Sequence, residues 1–196
     1  MSLVIVFLSE NFAMLCGEQR LTYKDGTTYE NFKKVFRLNN NLAIGITGEL
    51  DKYIDFLYPF LFDDGTTGLK INYDEVENLS FDLITEVFDR RFKTYDKSMA
   101  MHIIVIGLQN NKFVGRLYSS VDANPEIISP ETIPDEFSCR VLGKDIHIEN
   151  VQFFCGKIRN GSKEGRLWKI FNEVVKEGVK YDKTINKNTT GIILQR

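Results

Sequence analysis

The chain has 196 residues, 43% of them apolar and including 15 Phe and 8 Tyr, which suits one globular domain, 1–196, with a substantial core. A charged fraction of 27% and a formal net charge of −2 leave no basic field for nucleic acid and no acidic block typical of disordered tails. Cys16, Cys139 and Cys155 form no CxxC pair and fit reduced thiols in a cytoplasmic protein, while His102 and His147 lie too far apart to complete a zinc set, so no metal or cofactor is implied.

The opening MSLVIVFLSE is apolar but lacks a basic n-region and is broken by Ser9-Glu10, which argues against a leader or a membrane span. Val4 to Leu8 reads as a strand buried on both faces, and Phe12 to Cys16 as the return strand. A loop carries Lys24-Asp25-Gly26. Phe32 to Leu38 and Leu42 to Ile46 then flank Asn39-Asn40-Asn41, residues that tolerate the positive φ of hairpin turns.

Past Gly48 the period becomes helical. Leu50, Tyr53, Ile54, Leu57 and Leu61 share a face, with Pro59 set to kink or end that helix. Val76, Leu79, Leu83, Ile84, Val87, Phe88, Phe92 and Tyr95 predict a second helix. Strands return at His102 to Leu108 and Phe113 to Tyr118, joined through Asn110-Asn111, and a further strand ends near Leu142. A last helix follows Ser162, with Leu167, Ile170, Phe171, Val174 and Val175 on one face and Gly178 as its stop. Gly191 to Leu194 closes as a strand. The order of elements predicts an α+β fold of antiparallel sheets covered by helices.

The first 48 residues resemble proteasome beta subunits and their simpler bacterial relatives, of the N-terminal-nucleophile hydrolase type. In that family a mature N-terminal Thr begins one strand and an acidic residue followed by x-Arg ends the next. A Lys lies in the third strand and a Gly ends the fourth. With Ser2 at the nucleophile position, the rest aligns without a gap. Glu18, in Glu18-Gln19-Arg20, takes the acidic place, and Thr22 that of the Thr that binds substrate backbone. Lys34 takes the lysine place and Gly48 that of the oxyanion-hole glycine. Downstream, the family's Gly-Ser-Gly corresponds to Gly143-Lys144-Asp145, without the serine. Its later Asp-x-x-Ser-Gly is echoed loosely by Asp182-Lys183-Thr184 or by Thr189-Thr190-Gly191.

The resemblance implies a four-layer α-β-β-α sandwich, two antiparallel sheets between helical layers, and peptide or amide hydrolysis. A hydroxyl is a poor nucleophile at neutral pH and needs a base. A free α-amino group, with a pKa of about 8, can take its proton on the same residue. A lysine cation nearby would lower that pKa, and a carboxylate would hold the lysine. A backbone N–H aimed at the developing oxyanion contributes about 3 kcal/mol. Those roles fall to Ser2, Lys34, Glu18 and Gly48. Phe32, Phe36 and Ile46 flank the site and would favour an apolar substrate side chain. By resemblance the chain is expected to form a homo-oligomer and to take an unfoldase ATPase as partner.

Plainer readings stand beside these. A strand lysine is commonly solvated, Glu18 could pair with Arg20 or Lys34 at the surface, and Gly48 could serve only a strand-to-helix turn. His102 reads as structural. The alternative function is a catalytically inactive proteasome-like domain, a ring-forming scaffold or interaction module. The discriminating feature is whether processing exposes a nucleophile beside Lys34.

Overall fold

The continuous apolar run near the start of the chain becomes the inside of a sheet. A computed structural model describes residues 3–23, 25–48, 50–63, 68–96, 100–133, 136–143 and 148–196. In it β1 (Val4–Ser9) and β2 (Phe12–Glu18) form an antiparallel hairpin in which every residue is buried. Val4, Val6 and Leu8 pack on one face and Ile5 and Phe7 on the other, the period of two that a strand imposes. One short two-stranded ribbon of β3 (Leu21–Thr22) and β4 (Thr28–Tyr29) follows. The hairpin β5 (Val35–Asn39) and β6 (Leu42–Gly48) comes next, then α1 (Leu50–Leu57).

A small pair, β7 (Leu61–Asp63) and β8 (Leu69–Ile71), leads into α2 (Tyr73–Val76) and α3 (Phe81–Thr94). The chain returns as β9 (Met101–Gln109), β10 (Lys112–Ser119), β11 (Glu126–Ile128) and β12 (Ser138–Leu142). It closes with α4 (Ile148–Lys157), α5 (Lys163–Tyr181) and β13 (Thr189–Gln195). One sheet has the order β12-β1-β2-β13 and the other β11-β10-β9-β6-β5, with antiparallel pairing throughout both.

The two sheets face each other across Val4, Val6, Leu8, Leu15, Ile104 and Ile106. The outer face of the five-stranded sheet (Ile44, Ile46, Ile103, Val105) is covered by Phe56, Ile84 and Phe88 of α1 and α3. The outer face of the four-stranded sheet (Ile5, Phe7, Met14) is covered by Val151 of α4 and by Leu167, Phe171 and Val174 of α5. The layers therefore run α-β-β-α, as the resemblance implied.

Several elements differ from the expectation. The helix after Gly48 stops at Leu57, two residues before Pro59, and Leu61 opens β7 instead. The stripe from Val76 to Tyr95 is broken in two. Ser80 caps α3 by accepting a bond from Leu83 N at 3.2 Å, and Leu83 itself is exposed. Asn39 stabilises the break, its Nδ2 donating to the carbonyls of Val76 (2.8 Å) and Leu79 (2.9 Å).

None of Asn39, Asn40 or Asn41 has a positive φ. The β5–β6 ladder shifts register between Arg37 and Asn39, and Asn39 Oδ1 accepts from Asn41 N at 2.9 Å, an Asx turn in place of a primed one. Asn110 and Asn111 do adopt φ of 48° and 61°, as a tight turn matching strand twist requires. Gly178 does not stop α5, which runs to Tyr181 and folds Gly178 inside its last turns. Helix α4 was not expected at all. Its apolar residues fall on opposing sides, Val151 in the core and Phe153 exposed, which blurs the helical period.

Candidate active site

Glu18 is the last residue of β2, and Lys34 immediately precedes β5. Gly17 lets the two strands approach, since a Cβ there would lie 3.2 Å from Val35 Cγ1 and 3.4 Å from Lys34 Cβ. The surface reading of this pair is corrected by burial: Glu18 is 0% and Lys34 2% exposed. Lys34 Nζ donates to Glu18 Oε1 and to the carbonyl of Arg20.

The carboxylate of Glu18 is held on both oxygens. Oε1 also accepts from Leu3 N at 3.3 Å, and Oε2 from Arg20 N at 2.7 Å and Asn186 N at 3.5 Å. The start of β1 and the ion pair thus lie at one end of the sandwich. Glutamate has the reach to collect these neighbouring amides while still meeting the lysine.

A second ring of polar groups supports the pair. Asn186, 4% exposed, accepts from Gln19 N (3.1 Å) and donates to the Glu30 carbonyl (3.1 Å) and carboxylate (2.6 Å). Arg20 grips Glu30 with two bonds, at 2.7 and 3.2 Å, and donates to the Lys183 carbonyl, a forked geometry suited to a carboxylate. Asp182 Oδ1 accepts from Thr184 N (2.8 Å) and Oγ1 (2.6 Å), while Oδ2 is buried without a hydrogen bond among the described residues.

Of the two echoes of the downstream motif, only Asp182 acts on Lys34. Burial pushes the lysine's pKa down from 10.5 to about 7, and the Asp182 carboxylate opposes that shift. A lysine so placed can exchange a proton near neutral pH.

Gly48 ends β6 with φ +116°, and a Cβ on it would lie 2.2 Å from the Ala100 carbonyl oxygen. Only glycine fits that backbone, whatever its amide does. Thr22, on β3, is partly buried, and its Oγ1 has no hydrogen-bond partner among the described residues. Phe32 (1% exposed), Phe36 (4%) and Ile46 (0%) are buried in the cluster beneath α1 and α3. A groove of about 1080 Å³ runs beside β5 and includes Lys33, Phe36, Asn39, Tyr73 and Thr190 in its walls, but neither Lys34 nor Gly48. Ser2, Lys144 and Asp145 lie outside the described residues. Among the described residues no group of three or more His, Cys, Asp or Glu side chains could hold a metal ion.

Asn186 and Glu30 escaped the sequence reading. Their roles come from contacts between residues about 156 positions apart, and no local pattern marks them.

Two antiparallel sheets stacked between helical layers make this a proteasome-like fold. Among solved structures, the chain is similar to eukaryotic HslV from Trypanosoma brucei, with a TM-score of 0.64, 12% identity and 99% of each chain covered. At that identity the likeness is one of fold. No family model matches the sequence, and no curated protein matches it. Among the described residues no helix is long and apolar enough to cross a membrane.

Proposed function

We propose that this chain is a proteasome-like peptidase or amidohydrolase whose nucleophile is the hydroxyl of an N-terminal Ser2. The observation that carries the reading is the buried Glu18–Lys34 pair, its carboxylate also bonded to the amide of Leu3. In this reading the free α-amino group takes the hydroxyl proton. Lys34 tunes that amine, Glu18 orients Lys34, and Gly48 N–H meets the oxyanion. Thr22 holds substrate backbone. Phe32, Phe36 and Ile46, packed in the core beneath α1 and α3, back the site instead of lining a subsite.

The same resemblance supports a single cytoplasmic domain that assembles with copies of itself and receives substrate from an unfoldase ATPase. The test begins with intact mass and N-terminal sequencing of protein expressed from its own start codon. A chain beginning at Ser2 that is labelled by a hydroxyl-directed acylating probe, with labelling lost in Ser2→Ala and reduced at least tenfold in Lys34→Met, supports hydrolysis. Retained Met1, with no labelling, assigns the chain instead to the inactive scaffold.

A further inference from the structure

The lysine of the buried pair depends on a stretch of chain that no sheet holds. Lys34 Nζ donates to Glu18 Oε1 and to the Arg20 carbonyl. Glu18 ends β2, opposite Thr189 of β13, whereas Gln19 and Arg20 lie beyond the ladder. The second acceptor is therefore placed by loop bonds and side chains. Gln19 N donates to the Asn188 carbonyl at 3.0 Å, and Gln19 O accepts from Phe32 N at 2.8 Å. The Arg20 guanidinium is drawn to Glu30 and to the Lys183 carbonyl.

Asn186 joins these pieces. Counted from Asp182, the pattern Asp-x-x-Ser-Gly would put serine at 185 and glycine at 186. Ile185 is instead apolar and buried against α5 and the four-stranded sheet, and a buried asparagine follows it. Asn186 Oδ1 accepts from Gln19 N at 3.1 Å, while Nδ2 reaches the Glu30 carbonyl at 3.1 Å and Glu30 Oε2 at 2.6 Å. Its own amide donates to Glu18 Oε2 at 3.5 Å. One residue thus touches the segment that carries both lysine acceptors and the carboxylate that grips Arg20. The site needs a side chain that accepts on one atom and donates twice on another, which alanine and aspartate cannot do.

We infer that Asn186 is a positioning residue for Lys34. Together with Glu30 it holds residues 18–20 so that the Glu18 carboxylate and the Arg20 carbonyl meet the ammonium at once. The inference deepens the reading of the Glu18–Lys34 pair as the centre of the site, and it holds whichever group serves as nucleophile. Two acceptors, one of them charged, favour the ammonium over the neutral amine. Loosening the clasp takes both away while the site stays closed to water, so Lys34 gives up its proton more readily. A side chain that only plugged the site would act in the opposite sense. Its loss would admit water and return the lysine towards its ordinary value.

The test follows the Lys34 Cε methylene by NMR in the full-length chain with isotopically labelled lysine, its resonance identified by its absence from Lys34→Met. The parent is expected to titrate at about 7. Asn186→Ala should lower the proton affinity at least about tenfold, one unit of pKa. Glu30→Ala should act in the same direction, and Glu30→Gln, which keeps an oxygen for Asn186 Nδ2, should recover part of the loss. Glu173→Ala removes a surface carboxylate paired with Lys176 and should leave the titration in place. An unchanged or raised midpoint in Asn186→Ala would overturn the inference. Should that variant fail to fold, an unchanged or raised midpoint in Glu30→Ala does the same, as does a Glu30→Gln protein no closer to the parent than Glu30→Ala. The measurement needs no turnover. A chain without hydrolase activity whose Lys34 responds as expected keeps this inference and loses the peptidase reading, and an active chain whose Lys34 is unmoved does the reverse.

Discussion

Lys34 and Glu18 are almost wholly removed from water, and each is the other's charged partner. Removing one member of such a pair strands the other in the interior, at a cost of about 3–5 kcal/mol. Lys34→Met should lose that much in urea unfolding at pH 7. Glu18→Gln combined with Lys34→Met should recover most of it, since the amide is neutral and still offers an oxygen to Leu3 N. The pair also ties stability to pH. The unfolded chain holds the Lys34 proton up to about pH 10, whereas the folded chain releases it at about 7. Between those values the unfolded state binds more protons, so the parent should gain stability relative to Lys34→Met as pH rises from 7 to 10. A flat difference across that interval would show that the ammonium stays charged in place. The chemical types at this site were legible from the spacing of Glu18, Lys34 and Gly48, but their burial was not, because it depends on Gly17 letting β5 close over the pair.

Elements with a strong local code match their expectation. Ser162 caps α5 by accepting from Gly165 N at 3.2 Å, and five apolar positions of that helix are buried as the period implied. Asn110 and Asn111 form the β9–β10 turn, each in the left-handed region. An L-residue without their local hydrogen-bonding capacity is disfavoured there by roughly 1–2 kcal/mol. Asn111→Ala should therefore destabilise the protein by about 1 kcal/mol in thermal or urea unfolding, and Asn111→Gly should not. The Asn39 turn has the same composition and a different geometry, because its side chain is drawn to the carbonyls of Val76 and Leu79 across 37 and 40 residues. Local composition marks both as turns, while tertiary bonds choose between their conformations. The missed helix α4 follows the same logic: its period is unclear until β12 and α5 show which side is inside.

At the scale of the whole molecule the sandwich depends on how closely its sheets approach. Gly45 faces Val4, Leu15 and Ile104 at 3.0–3.2 Å from where a Cβ would stand. Gly45→Val should wedge the sheets apart and cost about 1–3 kcal/mol, with Gly156→Val, at an exposed position where a Cβ would have nothing within 4 Å, as the control for glycine replacement alone. A Gly45→Val protein as stable as the control would mean that the inter-sheet gap can give. The sequence by itself determined the apolar strands, the amphipathic α5 and the ungapped order of Glu18, Lys34 and Gly48, because side-chain alternation, helical period and spacing are local properties of a chain. Only the tertiary structure decided that Asp182, Asn186 and Glu30 gather around the Glu18–Lys34 pair. Those groups are brought together by sheet register and layer packing, and the desolvation that alters their chemistry exists only once both sheets and both helical layers have closed.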